Sequence, residues 1–348
     1  MLVLVAPGQG SQRPGMLDGW LDAPAAAEEV AAWSELTGLD LAALGTTADA
    51  ATVQDTAHAQ PLLVTLGLLS ATALATATDL PREQLADAYA GHSVGELTAS
   101  AVADVLTDDE AVQLVAFRGA AMARAAAESP GGMSAVLGGD PVVVSERLVE
   151  LGLTAANVNA AGQVVAAGPP HLLEQLSAQP PAGARVRPLP VAGAFHTAQM
   201  APAAVVLADV ARQISAGSPS APVVANADGM AYLDGPSLLA RIVGQVAAPV
   251  RWDAAQRTMA AMGVTGLLEL APGGTLTGLA RRELPGVATF AVKSPADLQA
   301  AAAFVAEHRQ RRTIPSVRRP AGDIPHTGGP EPLTAPPTPV QTTPGGDA

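Results

Sequence analysis

Cysteine is absent from the 348 residues, which excludes a disulfide framework, a thiol nucleophile and a thiolate metal site together. Aromatic residues make up only 3%, so small aliphatic side chains must build the core, and no aromatic cofactor cage is expected. Cations are few: 19 Lys and Arg face 32 Asp and Glu, for a net charge of −13, and Lys293 is the single lysine. That balance argues against nucleic acid as the main partner, because phosphate binding needs a basic surface. Arg185 with Arg187, and Arg281 with Arg282, are the best local candidates for meeting an acidic partner, although a solvated face is the commoner use of such pairs. No long hydrophobic run is uninterrupted. The longest, 62–78, contains Thr65, Ser70, Thr72, Thr76 and Thr78 and has no flanking basic cluster, so it reads as a buried helix and no membrane insertion is expected. Residues 1–5 are apolar but too few for a signal sequence and read as a strand; a cytoplasmic protein is expected.

The length suits one large core, or a large and a small domain, without a metal or disulfide staple. The strand 2–6 runs into the turn-forming Pro7-Gly8-Gln9-Gly10-Ser11-Gln12, at the strand end where ligands bind in α/β sheets. A helix over 61–78 leads to a strand over 87–90, the turn Gly91-His92-Ser93-Val94-Gly95, and helices over 96–103 and 108–127, the last with an acidic first turn. After Pro130-Gly131-Gly132 the texture changes. A strand at 133–137, a helix at 141–151, strands at 154–159 and 164–167, a helix at 171–178 and a strand at 185–189 give the β-α-β-β-α-β order of a ferredoxin-like unit. The α/β pattern then resumes with helices over 198–215, 237–246, 253–262 and 275–282 and strands over 223–226 and 266–270. From about residue 312, proline, threonine and glycine crowd the chain, and a disordered tail or linker is expected. The expected fold class is therefore α/β: a discontinuous large domain with a parallel sheet (1–128 and 193–311), an inserted ferredoxin-like subdomain (129–192) and a Pro-rich tail (312–348).

Gly91-His92-Ser93-Val94-Gly95 matches the nucleophile elbow, in which small residues flank a serine so that a strained turn presents its hydroxyl above the sheet. The pattern alone is weak, but its place between a predicted strand and a helix is the one the motif requires. A serine nucleophile needs a base. Of six histidines, His308 and His326 lie near or in the polar tail, His171 starts a helix of the inserted unit, and His92, beside the nucleophile, is expected to turn its side chain away. His58 is an undecided surface candidate. His196, in Gly193-Ala194-Phe195-His196-Thr197, lies in a loop returning to the large domain; spacing alone leaves open whether it is the base or a structural histidine.

Together these pieces resemble one family. Gly8-Gln9-Gly10-Ser11-Gln12, Gly91-His92-Ser93-Val94-Gly95-Glu96, Phe117-Arg118-Gly119 and Gly193-Ala194-Phe195-His196 are similar to motifs of the malonyl-CoA:acyl carrier protein transacylases of fatty acid and polyketide synthesis. The stretch from Asn157 to Gly168 resembles that family's inserted-domain hairpin, and Gln245 with Pro249-Val250-Arg251-Trp252 resembles a segment beside its active site. The likeness covers roughly residues 1–310. One departure is Ala160-Ala161, where many members carry a Ser-Pro or similar pair.

The resemblance implies a hydrolase-like large domain and a ping-pong acyltransferase. Ser93 would be the nucleophile and His196 the base, oriented by a backbone carbonyl near Gln245 rather than by an acid. The backbone N–H groups of Gln9 and Val94 would form the oxyanion hole. Arg118 would grip the free malonyl carboxylate; its alternative is a helix-surface arginine. Asn159 and Gln245 would complete the substrate site, and the bulk of Phe195 resembles malonyl-preferring members. No cofactor is implied, because the coenzyme A thioester is a substrate; the partners implied are malonyl-CoA and holo acyl carrier protein. An α/β-hydrolase would share the elbow but would need neither the arginine nor the insertion. A dinucleotide-binding protein is disfavoured because Arg13 replaces the third glycine of G-x-G-x-x-G, and intact Ser93 and His196 argue against a non-catalytic docking subunit.

Overall fold

The computed structural model describes residues 1–191 and 193–313. Ten strands form two sheets among them: β1 (Leu2–Ala6), β2 (Ala88–Gly91), β3 (Gly132–Gly138), β4 (Thr154–Ala160), β5 (Gln163–Gly168), β6 (Ala184–Pro188), β7 (Val223–Val224), β8 (Ala231–Tyr232), β9 (Gly266–Glu269) and β10 (Ala288–Ala291). The large sheet has the order β10-β9-β1-β2-β7-β8. It is parallel except for the β7–β8 pair. Every residue of β1, β2 and β9 is buried, as a parallel sheet covered by helices on both faces requires. The small sheet, β4-β5-β3-β6, is antiparallel. With helices Pro141–Glu150 and Pro170–Ala178 it makes the ferredoxin-like unit that the strand–helix order predicts. The β4–β5 hairpin turns at Gly162, whose φ is 72°, so the departure at Ala160-Ala161 leaves the hairpin intact.

Helix Thr56–Thr78 is the one described helix long and apolar enough to cross a membrane, yet two-thirds of its apolar window is buried in the protein. It packs against helix Asp108–Glu128 and is a core element. The sequence reading starts it at Pro61. It begins five residues earlier, where the Asp55 carboxylate accepts the Ala57 N–H at 2.8 Å, a stronger start signal than the proline. The expected helix over 198–215 is instead a 3₁₀ turn, Ala198–Met200, and a helix, Ala201–Ala211, with Pro202 in its first turn. Residues 24–54 hold three helices that the alanine-rich sequence does not announce; β8, β10 and the last helix, Leu298–Thr313, were likewise unread. That helix carries the chain past 312, and the expected tail from 314 onward lies outside the described residues.

Beyond β9 the chain is held by Glu269. Its fully buried carboxylate accepts the N–H groups of Gly274, Leu276 and Thr277 at 2.8, 2.9 and 2.8 Å, satisfying the amide donors that open helix Thr275–Glu283. Glu269→Ala leaves those amides without an acceptor and should cost about 3 kcal/mol. A thermal-denaturation midpoint several degrees below wild type is the expected outcome; an unchanged midpoint would show that the cap contributes nothing.

Candidate active site

The site forms where β1 and β2 end side by side. Their parallel register pairs Ala6 with Gly91, so the loop after β1 and the turn after β2 emerge together, at the C-terminal strand ends where α/β sheets carry ligands. Glycine permits the closeness. A Cβ on Gly91 would lie 1.9 Å from the Gly95 carbonyl carbon, and one on Gly95 would lie 2.3 Å from the Ala6 carbonyl oxygen. The turn holds Ser93 at φ 54°, a left-handed conformation costly for a serine and typical of a nucleophile elbow. Helix Gly95–Val102 starts immediately after it.

His196 also sits at a left-handed φ, 60°, in a loop tightened by the Thr197 hydroxyl donating to the Ala194 carbonyl at 2.7 Å. Its Nε2 lies 2.8 Å from the Ser93 Oγ, and its Nδ1 lies 3.2 Å from the Gln245 carbonyl oxygen. A proton on Nδ1, donated to that carbonyl, leaves Nε2 free to accept from the serine. The Gln245 side-chain nitrogen is 2.9 Å from the same Nδ1 while its Oε1 has no partner. Turning the amide over would place Oε1 on the Nδ1 proton, the tautomer a base needs, at the cost of the Nε2 bond to the Ala248 carbonyl at 3.3 Å. No carboxylate touches the ring among the described residues. Burial, then the Arg118 charge, push the His196 pKa down to about 3, with the Gln245 carbonyl acting the other way; the ring is therefore neutral at pH 7.

Arg118, on helix Asp108–Glu128, is 1% exposed, which rules out the helix-surface role. Its guanidinium donates to the Gln60 Oε1 at 2.5 Å and to the Ser93 Oγ at 3.1 Å, and its Nε has no partner. Burial lowers its pKa to about 10, with Glu96 opposing, so it stays charged at neutral pH. Glu96, fully buried, is pushed up to about 8 chiefly by burial and is mainly protonated there, leaving the guanidinium without a full counter-charge. A buried cation with a free nitrogen beside a nucleophile is a seat for an anion.

The other expected residues divide. The N–H groups of Gln9 and Val94 have no backbone acceptor among the described residues, as an oxyanion hole requires, and the Gln9 side chain is tied to the Thr56 hydroxyl at 3.1 Å. Phe195 is buried in the main core with its ring against Gly193. Gln245 meets the imidazole itself. Asn159 meets His92, its Oδ1 2.8 Å from the ring Nε2, while its carbonyl accepts from Gln256 at 2.9 Å; the His92 ring, against Trp252, is turned away from the nucleophile. His58 faces the Thr52 carbonyl at 3.1 Å, and His171 is exposed at a helix start. His308 does not belong to a tail: it is buried in helix Leu298–Thr313 with its ring 4.3 Å from that of Phe304. His326 lies outside the described residues. Arg185 and Arg282, from the two exposed arginine pairs, line one cleft of about 680 Å³, where Arg282 donates to Gln163 at 2.5 Å.

Gln60 and Asn226 were missed by the sequence reading, and Glu96 was quoted there without a role. Gln60 directly precedes, and Asn226 directly follows, a short apolar run, the one signal that could have raised them. Among the described residues no group of three or more His, Cys, Asp or Glu could hold a metal.

Residues 3–321 match the family described as Acyl transferase domain. The chain is 51% identical over 298 residues to the malonyl CoA-acyl carrier protein transacylase of Mycobacterium tuberculosis (strain ATCC 25618 / H37Rv), covering 86% of this chain and 98% of that protein. The crystal structure of MCAT from Mycobacterium tuberculosis superposes with a TM-score of 0.83 at 50% identity, over 86% of this chain and 99% of that one. A type II PKS acyl-carrier protein in complex with its malonyl-transacylase also matches, with a TM-score of 0.80 at 32% identity over 87% and 99%. With a serine elbow, a buried histidine and a buried arginine at the end of its parallel sheet, the chain belongs to the acyl transferase family.

Proposed function

We propose that the protein is a malonyl-CoA:acyl carrier protein transacylase of the cytoplasm, supplying malonyl units for fatty acid or polyketide synthesis. The Ser93 Oγ attacks the thioester carbonyl of malonyl-CoA while His196 Nε2 takes its proton. The N–H groups of Gln9 and Val94 receive the charge that develops on the carbonyl oxygen. Collapse breaks the C–S bond, His196 returns the proton to the departing thiolate, and coenzyme A leaves a malonyl-Ser93 ester. The thiol of holo acyl carrier protein then repeats the sequence in reverse. The relatives' activity supports both substrates, and the complex of a relative with an acyl-carrier protein supports the acceptor.

The observation that carries the malonyl assignment is the Arg118 guanidinium, buried, charged and 3.1 Å from the Ser93 Oγ. The malonyl carboxylate would pair with it, while Gln60 holds its other arm. Pairing also cancels the charge that depresses His196, so the base strengthens when the substrate arrives.

Arg118→Ala leaves the malonyl carboxylate unpaired and should lower kcat/KM for malonyl-CoA by about 2–5 kcal/mol, roughly 30- to 5,000-fold. Acetyl-CoA has no carboxylate to lose, so its transfer should hold steady or rise; equal losses for the two substrates would remove Arg118 from carboxylate binding. The histidine makes a separate prediction. Because its folded pKa lies far below the ordinary 6.5, kcat/KM should show no midpoint near pH 6.5 as pH falls from 7 to 5. The unfolded chain binds the extra proton across that window, so His196 also contributes stability that declines as pH drops from about 6.5 towards 3. An activity profile halved near pH 6.5 would contradict a dry, neutral base.

A further inference from the structure

The parallel β2–β7 ladder pairs Tyr89 with Val223 and Ala90 with Val224. Continued by two residues, this register sets His92 opposite Asn226. A residue in that place on a full-length strand would accept the Ser93 N–H with its carbonyl and give its own N–H to the Gly91 carbonyl. The backbone of Asn226 does neither. After Val224 the chain turns: Ala225 donates to Met230, and Asn226 spends its own N–H on the Glu96 Oε1 and its carbonyl on the Arg251 N–H, both at 2.8 Å.

The Asn226 side chain makes both missing bonds. Its Oδ1 accepts the Ser93 N–H at 2.6 Å and its Nδ2 donates to the Gly91 carbonyl at 2.7 Å. The amide orientation is unambiguous, because a backbone N–H only donates and a carbonyl only accepts. The residue is 0% exposed, so no water competes. A carboxamide has the same donor and acceptor layout as a peptide unit, and here it extends the sheet by one rung where the strained nucleophile turn leaves it.

We propose that Asn226 is a positioning residue of the acyl transfer, its side chain acting as a surrogate strand residue that locks the Ser93 turn, with Glu96 as the anchor holding Asn226 in register. Resting on the reading of Ser93 as the acylated nucleophile, this assigns the two ends of one short grip: Glu96 is three residues beyond Ser93 on the helix that the turn feeds. The grip occupies the Ser93 N–H, which leaves the next amide, that of Val94, to face the substrate oxygen. It also holds the Ser93 Oγ on a line shared by His196 and Arg118, 2.8 and 3.1 Å away. Glu96 needs no charge for this role, since its Oε1 only accepts, and its burial favours the neutral acid.

The test is the rate of malonyl-Ser93 formation, followed by rapid quench and intact mass at saturating malonyl-CoA, with melting curves to confirm folding at the assay temperature. Asn226→Leu keeps the bulk but removes both bonds, and Asn226→Ala removes bulk and bonds together. Each should slow acylation at least about tenfold with KM for malonyl-CoA changed less than about threefold and the malonyl-to-acetyl preference retained, the pattern of a group that positions the nucleophile without binding substrate. Glu96→Gln, which keeps the acceptor, should acylate within about threefold of wild type, and Glu96→Leu, which removes it, should be slow like the asparagine variants. Should neither asparagine variant fold, the contrast between the two Glu96 variants decides. Folded Asn226→Leu acylating at the wild-type rate, a loss carried by KM, or equal rates for Glu96→Gln and Glu96→Leu would overturn the proposal. Wild type gaining no malonyl mass on Ser93 would instead sink the underlying reading.

Discussion

The active centre depends on how closely two parallel strand ends can approach. With Ala6 paired to Gly91, the turn bearing Ser93 must pass within touching distance of the loop bearing Gln9, and at Gly8, Gly91 and Gly95 an added methyl group would strike neighbouring backbone. That crowding brings together the Gln9 loop and the turn holding Val94, the two segments whose amides serve the proposed oxyanion hole. It also forces Ser93 into a left-handed conformation that the surrounding structure must hold. The surrogate rung supplied by Asn226 is one such restraint; the helix starting at Gly95 is another.

A second constraint is electrostatic. The site contains a buried arginine, a buried histidine and a buried glutamic acid within one small volume, and burial pushes each towards its neutral form. Only Arg118 keeps its charge at neutral pH, because its ordinary pKa is high enough to survive the shift. At neutral pH the buried site therefore carries a positive charge. In the proposed function an acyl group carrying a carboxylate would offset that charge and an acetyl group would not, so selectivity and base strength would derive from the same charge. A serine–histidine pair without an acidic third member suits this arrangement. A carboxylate beside the imidazole would add a competing anion close to Arg118, whereas the Gln245 carbonyl orients the ring with a dipole alone.

The parts legible in the sequence are those whose chemistry is written in consecutive residues. Ser93 is flanked by the glycines its turn needs, His196 lies in a compact loop motif, and the inserted unit declares itself through strand and helix order. Arg118 was read as a carboxylate ligand through resemblance, since a single arginine on a helix carries no mark of being buried. Gln60 and Asn226 acquire their roles from segments 58 and 133 residues away, and no local pattern records such a meeting. The start of the helix at Thr56 was missed because its cap, Asp55, lies in a polar stretch ahead of the apolar run, and short edge strands such as β8 carry too few residues to show alternation. His308 was discounted for lying near the tail, while its burial against Gly266 and Phe304 comes from packing.

The most direct test of the account is intact mass spectrometry of the full chain mixed with malonyl-CoA and no acceptor. Wild type should gain one malonyl mass, located on Ser93 by peptide mapping and discharged when holo acyl carrier protein is added. Ser93→Ala should gain none while melting at a temperature close to wild type. A Ser93→Ala protein that still acquires the malonyl group, or a wild-type adduct that maps elsewhere, would contradict the assignment of the nucleophile and with it the mechanism built around it.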